Sequence, residues 1–349
     1  MKPIVELHHI RMDFTSRGRS VTILRDINLR INPQELITII GESGCGKSTL
    51  GKVALGTLRP TSGAVFFRSE LIWDSAFRWT PDLRLLVQVI HQDPFSSLNP
   101  VRTVYQTLST PFRFYKLAAS EAEIRSRVSL LLESVGLAPA DSFIEKYPFQ
   151  LSGGQKQRVS IARTMILKPR LIIADEPVSG VDASSRLNIL ALMKNLNEEH
   201  GIAFMYITHD LATAKYFAPR GKVLVMYLGK IVETGVVTTC IDRPAHPYLQ
   251  ALLSALIVTK DKKKILLKDA ELPSLFSPPS GCAFNPRCPY SSEICSREEP
   301  ELMPLAMANE HDHLVACHHV KEIPPWGETI SQSTEFKSNE LEKKSVNEN

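Results

Sequence analysis

The sequence predicts an α/β fold with a largely parallel sheet, on three observations. Short unbroken apolar runs, ELITIIG (35–41), LIIAD (171–175) and IAFMYIT (202–208), have the length and composition of strands buried on both faces. Segments with helical spacing lie between them: one from Lys47, one over 120–136 and one over roughly 184–199. A glycine-rich turn joins the first of these strands to the first helix. Strands that alternate with helices close into a parallel sheet because each crossover must bury its apolar face on that sheet.

Taken in order, residues 4–10 and 21–31 alternate and are rich in Val, Ile and Leu, as strands are. Over 120–136, Ile124, Val128, Leu131, Leu132 and Val135 fall on one side of a helix, and Ser120 followed by Glu123 forms a capping-box pattern. Past residue 258 the character changes. DKKK (261–264) reads as a charged linker, and 272–304 is rich in Pro, Ser and Cys without a clear period. From 323 onward apolar residues are few, which predicts disorder. The expected division is a main domain over 1–258, an extension over 259–322 and a tail over 323–349.

Composition fits a soluble globular protein of about two domains: 349 residues, 43% apolar and 22% charged. No apolar run approaches the roughly 18 residues of a membrane span, and ALLSALIV is less than half of one. The start, MKPIVELHHI, lacks the apolar core of a signal peptide, so a cytoplasmic location is expected, with membrane work left to separate partners. A net charge of +4 argues neither for nor against nucleic acid. Cys45 and Cys240 stand alone, whereas Cys282, Cys288, Cys295 and Cys317 crowd together, which in a cytosolic chain suggests metal ligation over disulfides.

Residues 41–49, GESGCGKST, fit G-x-x-x-x-G-K-[ST], with a strand before and a helix after. In that context Gly41, Glu42, Ser43, Gly44, Cys45 and Gly46 wrap backbone N–H groups around phosphate oxygens, and the helix start adds its dipole. Lys47 is expected to reach the β- and γ-phosphates, Ser48 to coordinate Mg²⁺ and Thr49 to touch the α-phosphate. The Cys45 side chain reads as a bystander, since any residue fits there. LIIADE ends a buried strand with two acids: Asp175 to hold Mg²⁺ through its water shell, Glu176 to polarise the attacking water. LSGGQKQR (151–158) sets Ser152, Gly153, Gly154 and Gln155 before a second helix, where N–H groups, a hydroxyl and a dipole make another anion site.

GESGCGKST, LSGGQ and LIIADE, in that arrangement, resemble the nucleotide-binding subunits of ABC transporters over residues 4 to about 320. The resemblance implies a P-loop ATPase cassette: a RecA-like core, an antiparallel β subdomain and a helical signature subdomain over about 93–158. It also implies that the Ser152 segment of one subunit completes the ATP site of another. By the same resemblance Gln92 is the Q-loop glutamine that contacts Mg²⁺ or water, Asp182 in SGVD the D-loop acid, and His209 in YITHD the switch histidine on the γ-phosphate. The usual loop reads SALD, so Gly180 and Val181 depart from it and leave the acid in place. Phe14 is either an adenine-stacking aromatic or a core residue.

Three segments resemble the peptide/nickel import group: QDPFSSLNP (92–100), PAHPYLQALLSA (244–255) and GCAFNPRCPYSSEIC…ACHHV (281–320). The resemblance implies a subunit that energises import of di- or oligopeptides at the cytoplasmic face of the membrane. Implied partners are two permeases, an extracytoplasmic solute-binding protein and a second, different ATPase subunit. Nickel or oligosaccharide import are alternatives. A soluble ATPase acting on nucleic acid or ribosomes is disfavoured by a single cassette without sustained heptads, and a non-enzymatic regulator by the intact Lys47, Asp175, Glu176 and His209. The spacing C-x5-C-x6-C-x21-C can hold a four-iron, four-sulphur cluster or Zn²⁺. The resemblance implies the former; His311, His313, His318 and His319 as substitute ligands keep the latter open.

Overall fold

The computed structural model describes residues 2–16, 18–73, 85–93, 98–256, 265, 267–305 and 312–326. Two sheets organise them. β1 (Val5–Ser16) and β2 (Arg19–Ile31) form a long antiparallel pair, from Val5 opposite Ile31 to Ser16 opposite Arg19. β4 (Ser62–Phe67) and β5 (Glu70–Ile72) extend it in the order β2-β1-β4-β5. The second sheet has eight strands. β3 (Leu36–Ile40), β6 (Val87–Ile90), β7 (Leu171–Asp175), β8 (Ala203–Thr208) and β9 (Lys222–Tyr227) run parallel in the order β9-β3-β8-β7-β6. β10 (Lys230–Val236), β12 (Leu314–Val315) and β11 (Met303–Pro304) continue it antiparallel beyond β9. The expected parallel core and antiparallel subdomain are both present.

The unbroken apolar runs have a simple cause. Along β8, Ala203, Met205 and Ile207 face one core while Phe204 and Tyr206 face another, all essentially inaccessible to solvent. β7 divides in the same way, with Leu171 and Ile173 on one side and Ile172 and Ala174 on the other. The first core lies under the antiparallel sheet and holds helix α1 (Lys47–Ala54), whose Gly51 would set a Cβ 3.0 Å from Ile207 Cδ1. Each large apolar side chain buried in these layers contributes about 1.5–3 kcal/mol.

The second core joins the sheet to the helical segment. There α2 (Val104–Phe114), α3 (Glu121–Ser134), α4 (Asp141–Ile144) and α5 (Gly153–Met165) pack Leu108, Val128, Leu132, Ile144 and Ile161 inward. Ser120 caps α3 as the pattern predicts, accepting the Glu123 N–H at 3.2 Å. The reciprocal bond is displaced by one residue, because the Glu123 carboxylate accepts the Ala119 N–H at 2.8 Å. α6 (Ala183–His200) and α7 (Leu211–Phe217) cover the same face.

Among the described residues after β10, several rejoin the main body. α8 (Val237–Asp242) and α9 (Pro247–Leu256) lead out of the sheet, and β11 and β12 return to it. Ala283, Phe284 and Cys288 are buried in the second core, which Trp326 also packs against. A short helix, α10 (Glu293–Arg297), interrupts the Pro- and Cys-rich stretch. The charged run 261–264, His311 and most of the 323–349 tail lie outside the described residues.

Candidate functional site

The phosphate loop leaves β3 at Ile40 and enters α1 at Lys47. Gly41 and Gly46 both have positive φ (155° and 108°), and a Cβ on them would lie 2.3 Å from Met226 O and 2.9 Å from Ile23 O. Only glycine fits so close to neighbouring backbone. Lys47 is buried and folds back over the loop, its Nζ donating to Gly41 O at 2.7 Å and Glu42 O at 2.9 Å. Cys45 turns inward and is fully buried, and that burial raises its thiol pKa. Its side chain therefore backs the loop, while Ser43 and Gly44 are exposed and Thr49 is half-buried at the start of the helix.

The acids meet this loop from β7. Ser48 Oγ donates to Asp175 Oδ1 at 3.1 Å. Burial pushes the Asp175 carboxyl above its ordinary value; the Ser48 hydrogen bond opposes the rise and the Glu176 charge adds to it. A half-desolvated carboxylate tied to a serine hydroxyl fits a hydrated divalent cation, which would reverse that shift. Glu176 follows at φ 44°, a left-handed conformation that turns its side chain out of the strand's alternation. Gln92 Nε2 then donates to Glu176 Oε2 at 3.3 Å, and His209 Nδ1 lies 3.1 Å from Oε1. Parallel pairing makes this convergence. Gln92, Glu176 and His209 follow the ends of β6, β7 and β8, adjacent strands running the same way. Chemically, a carboxylate held between an amide and an imidazole can take a proton from a water lined up on a phosphate that Lys47 holds.

These strands belong to a known architecture. A family profile described as ABC transporter matches residues 24–179, and one described as oligopeptide/dipeptide transporter, C-terminal region, matches 232–295. The oligopeptide transport ATP-binding protein OppF of Salmonella typhimurium is 40% identical over 315 residues, covering 89% of this chain and 91% of that protein. AppF of Bacillus subtilis, also an oligopeptide transport ATP-binding protein, is 38% identical over 328 residues, covering 90% and 97%. The chain belongs to the ABC transporter ATP-binding proteins. Among solved structures, a dimeric ATP-binding cassette in a post-hydrolysis state with ADP and Pi aligns at a TM-score of 0.59 and 28% identity, over 67% of this chain and 98% of that one. The chain is thus an ABC-type ATPase with the cassette fold, and no helix among its described residues is long and apolar enough to cross a membrane.

Within this ABC cassette, the signature segment opens helix α5. Ser152 caps α5 with a full capping box: its Oγ accepts the Gln155 N–H at 3.2 Å, and Gln155 Oε1 accepts the Ser152 N–H at 3.0 Å. The hydroxyl proton stays available to an anion. A Cβ on Gly153 would sit 3.3 Å from Gly180 O, and one on Gly154 3.0 Å from Ser185 Cβ and Oγ, so the segment lies against residues 180–185. Asp182 caps α6, accepting from the Ser185 N–H at 2.9 Å and the Ser184 hydroxyl at 2.6 Å. These bonds lower its pKa to about 2. Phe14 is 41% exposed, which rules out the core role. It pairs with Val21 on β2, two residues before Ile23, whose carbonyl lies against Gly46 of the loop.

Cys282, Cys288, Cys295 and Cys317 line a single small cavity with His246, His318 and His319. Burial pushes Cys288 and Cys317 up to about 12, and the charges of the other cysteines add to each rise. Crowded, desolvated thiols are a donor set that a cationic group would relieve. Nearby, Glu233, Cys240 and His313 also converge, with His313 Nε2 2.8 Å from Glu233 Oε1. That carboxylate already accepts the Ala245 and His246 N–H groups at 3.1 and 2.7 Å, and it ties the returning strand to the start of α9. Sequence reasoning missed three residues at the loop. Tyr248 and Arg287 bond to Glu42 and Tyr227 backs Arg287; Tyr248 and Arg287 lie in the HPY and NPRC segments, while Tyr227 carries no local signal.

Proposed function

We propose that this ATPase powers import of di- or oligopeptides as a peripheral subunit at the cytoplasmic face of the membrane, beside two permeases and an extracytoplasmic solute-binding protein. One observation carries the reading: a cassette with Lys47, Ser48, Gln92, Asp175, Glu176 and His209 gathered at one end of the sheet is fused to a C-terminal region matched to oligopeptide/dipeptide transporters. In this reading Gly41 to Thr49 hold the phosphates of ATP, Phe14 stacks on adenine, and Ser48, Asp175 and Gln92 hold Mg²⁺, which neutralises phosphate charge when bound. Glu176 serves as general base, positioned by Gln92 and His209. Ser152, Gly153, Gly154, Gln155 and Asp182 serve the site of a second, non-identical ATPase subunit, a role supported by the capping box that leaves the Ser152 hydroxyl proton free for an anion. Nucleic acid is not a partner.

Cys282, Cys288, Cys295 and Cys317 are assigned to a four-iron, four-sulphur cluster of structural or regulatory role. Tetrahedral zinc at about 2.3 Å from each sulphur needs sulphurs about 3.8 Å apart. Among the described residues, ligand atoms of Glu233, Cys240 and His313 also lie within 4.8 Å of one another. The four thiols facing one cavity support a shared metal group.

The test is reconstitution with the permeases and the second subunit in lipid vesicles, followed by ATP turnover with peptide-loaded binding protein. Stimulation by peptide and not by nickel or oligosaccharide is expected; the reverse would reject the substrate assignment. Iron and sulphide are measured on anaerobically purified protein. A colourless preparation with stoichiometric zinc would reject the cluster.

A further inference from the structure

The phosphate loop is gripped from the cysteine turn. Arg287 sends Nη1 to Glu42 Oε2 at 2.7 Å and Nη2 to Glu42 Oε1 at 3.0 Å, a two-pronged, charge-assisted pairing. Its side chain is only 5% exposed, against 29% for Glu42. Nη1 also reaches Tyr227 Oη at 3.5 Å, and the guanidinium lies 5.9 Å from the ring centres of Tyr227 and Phe284. Tyr248, 4.6 Å from the Tyr227 ring, accepts the Glu42 backbone N–H at 2.7 Å. Both the carboxylate and the amide of one loop residue are thus fixed by groups more than 200 positions away.

The connection runs on in both directions. Glu42 O accepts from Lys47 Nζ, so the placement of residue 42 sets the placement of the phosphate-binding ammonium. Arg287 itself is mounted on a tight turn. Its N–H and that of Cys288 both reach Phe284 O, at 3.0 and 2.9 Å, while the Cys282 N–H reaches Cys295 O at 2.8 Å. A guanidinium buried on that turn cannot shift without its two neighbours, the cysteine wall and Glu42.

We propose that Arg287, with Tyr248, is a positioning residue for nucleotide binding: it sets the phosphate loop through Glu42, so the conformation of the cysteine turn is read as affinity for MgATP. The inference rests on the nucleotide-site reading above. No residue of the extension touches the nucleotide in this scheme; the effect passes through Glu42 and Lys47.

The test is calorimetric titration of the full chain with MgATP. Arg287→Ala and Glu42→Ala should each weaken binding by roughly tenfold, the loss expected for a charged hydrogen-bonded pair. The double variant should be no weaker than either single one, because the two residues act as a unit. Cys288→Ser, which disturbs the turn, should weaken binding in the wild-type background and not in Glu42→Ala. Arg287→Lys keeps the charge, loses one prong and should change affinity in the same direction, which covers the case of Arg287→Ala failing to fold. A merely structural arginine would give additive losses. Additivity, or Arg287 variants binding within about twofold of wild type while Lys47→Ala abolishes binding, overturns the proposal. Wild-type binding by Lys47→Ala would instead overturn the nucleotide-site reading and leave Arg287 with nothing to position.

Discussion

Replacing Glu176 by glutamine removes one negative charge and a proton acceptor while keeping the shape of the side chain. Its surroundings can absorb the change. Gln92 donates at 3.3 Å, and the amide of Gln92 can rotate to present its oxygen instead; His209 at 3.1 Å can meet either end of the new amide by its choice of tautomer. The left-handed backbone at φ 44° is no harder for glutamine than for glutamate. Stability should therefore change by less than about 1 kcal/mol. Lys47 and Ser48 are untouched, so affinity for MgATP should hold. What is lost is the general base, worth about 10²–10⁴ in rate. That corresponds to about 3–5 kcal/mol on the barrier. Single-turnover hydrolysis by the paired subunits, with enzyme in excess over radiolabelled ATP, isolates that step. Hydrolysis within about tenfold of wild type at unchanged affinity would remove Glu176 from the base role.

Other outcomes follow from the same geometry. Gly154→Ala presses a Cβ to 3.0 Å from Ser185 Cβ, so the starts of α5 and α6 must part; a net loss of about 1 kcal/mol should appear in thermal unfolding, the overpacking cost less the helix preference of alanine. Asp182, with its pKa lowered to about 2, lends its capping stability above the ordinary carboxylate value near 3.8 and loses it as pH falls toward 2. Asp182→Asn should flatten stability across that window, as read by urea unfolding at several pH values. Glu233→Ala leaves the Ala245 N–H and the buried His246 N–H without their carboxylate and should cost about 1–3 kcal/mol by denaturant titration.

The parts of the site that share short stretches of chain were legible. Residues 41–49 and 171–176 announce themselves because strand, turn and helix are contiguous, and the parallel order then dictates where Gln92 and His209 fall. β9 and β10 were hidden by their turn. Leu228 and Gly229 both have positive φ, at 43° and 80°, and leucine there masks the Asn-Gly pair that usually marks such a hairpin. Helix α2 carries Pro111 within it, so its start had to be read from Thr103 and Gln106, an easily overlooked capping box. The Arg287–Glu42 pairing lies beyond any local pattern: it spans 245 positions, and nothing near either residue names the other.

The return of Met303–Pro304 and Leu314–Val315 to the large sheet has a practical side. Glu233 and Thr234 of β10 hydrogen-bond with this late segment, and Ala316 N–H bonds Val232 O at 2.8 Å. Cutting the chain after the cassette, a natural choice for making a minimal ATPase, would bare that strand's outer rim of amides and carbonyls, with Val232 and the carboxylate of Glu233 beside it. Such a rim is a template for pairing with other chains. A shortened protein is therefore expected to precipitate or self-associate, and its lost activity would mix exposed β-structure with the loss of the Arg287 grip on Glu42.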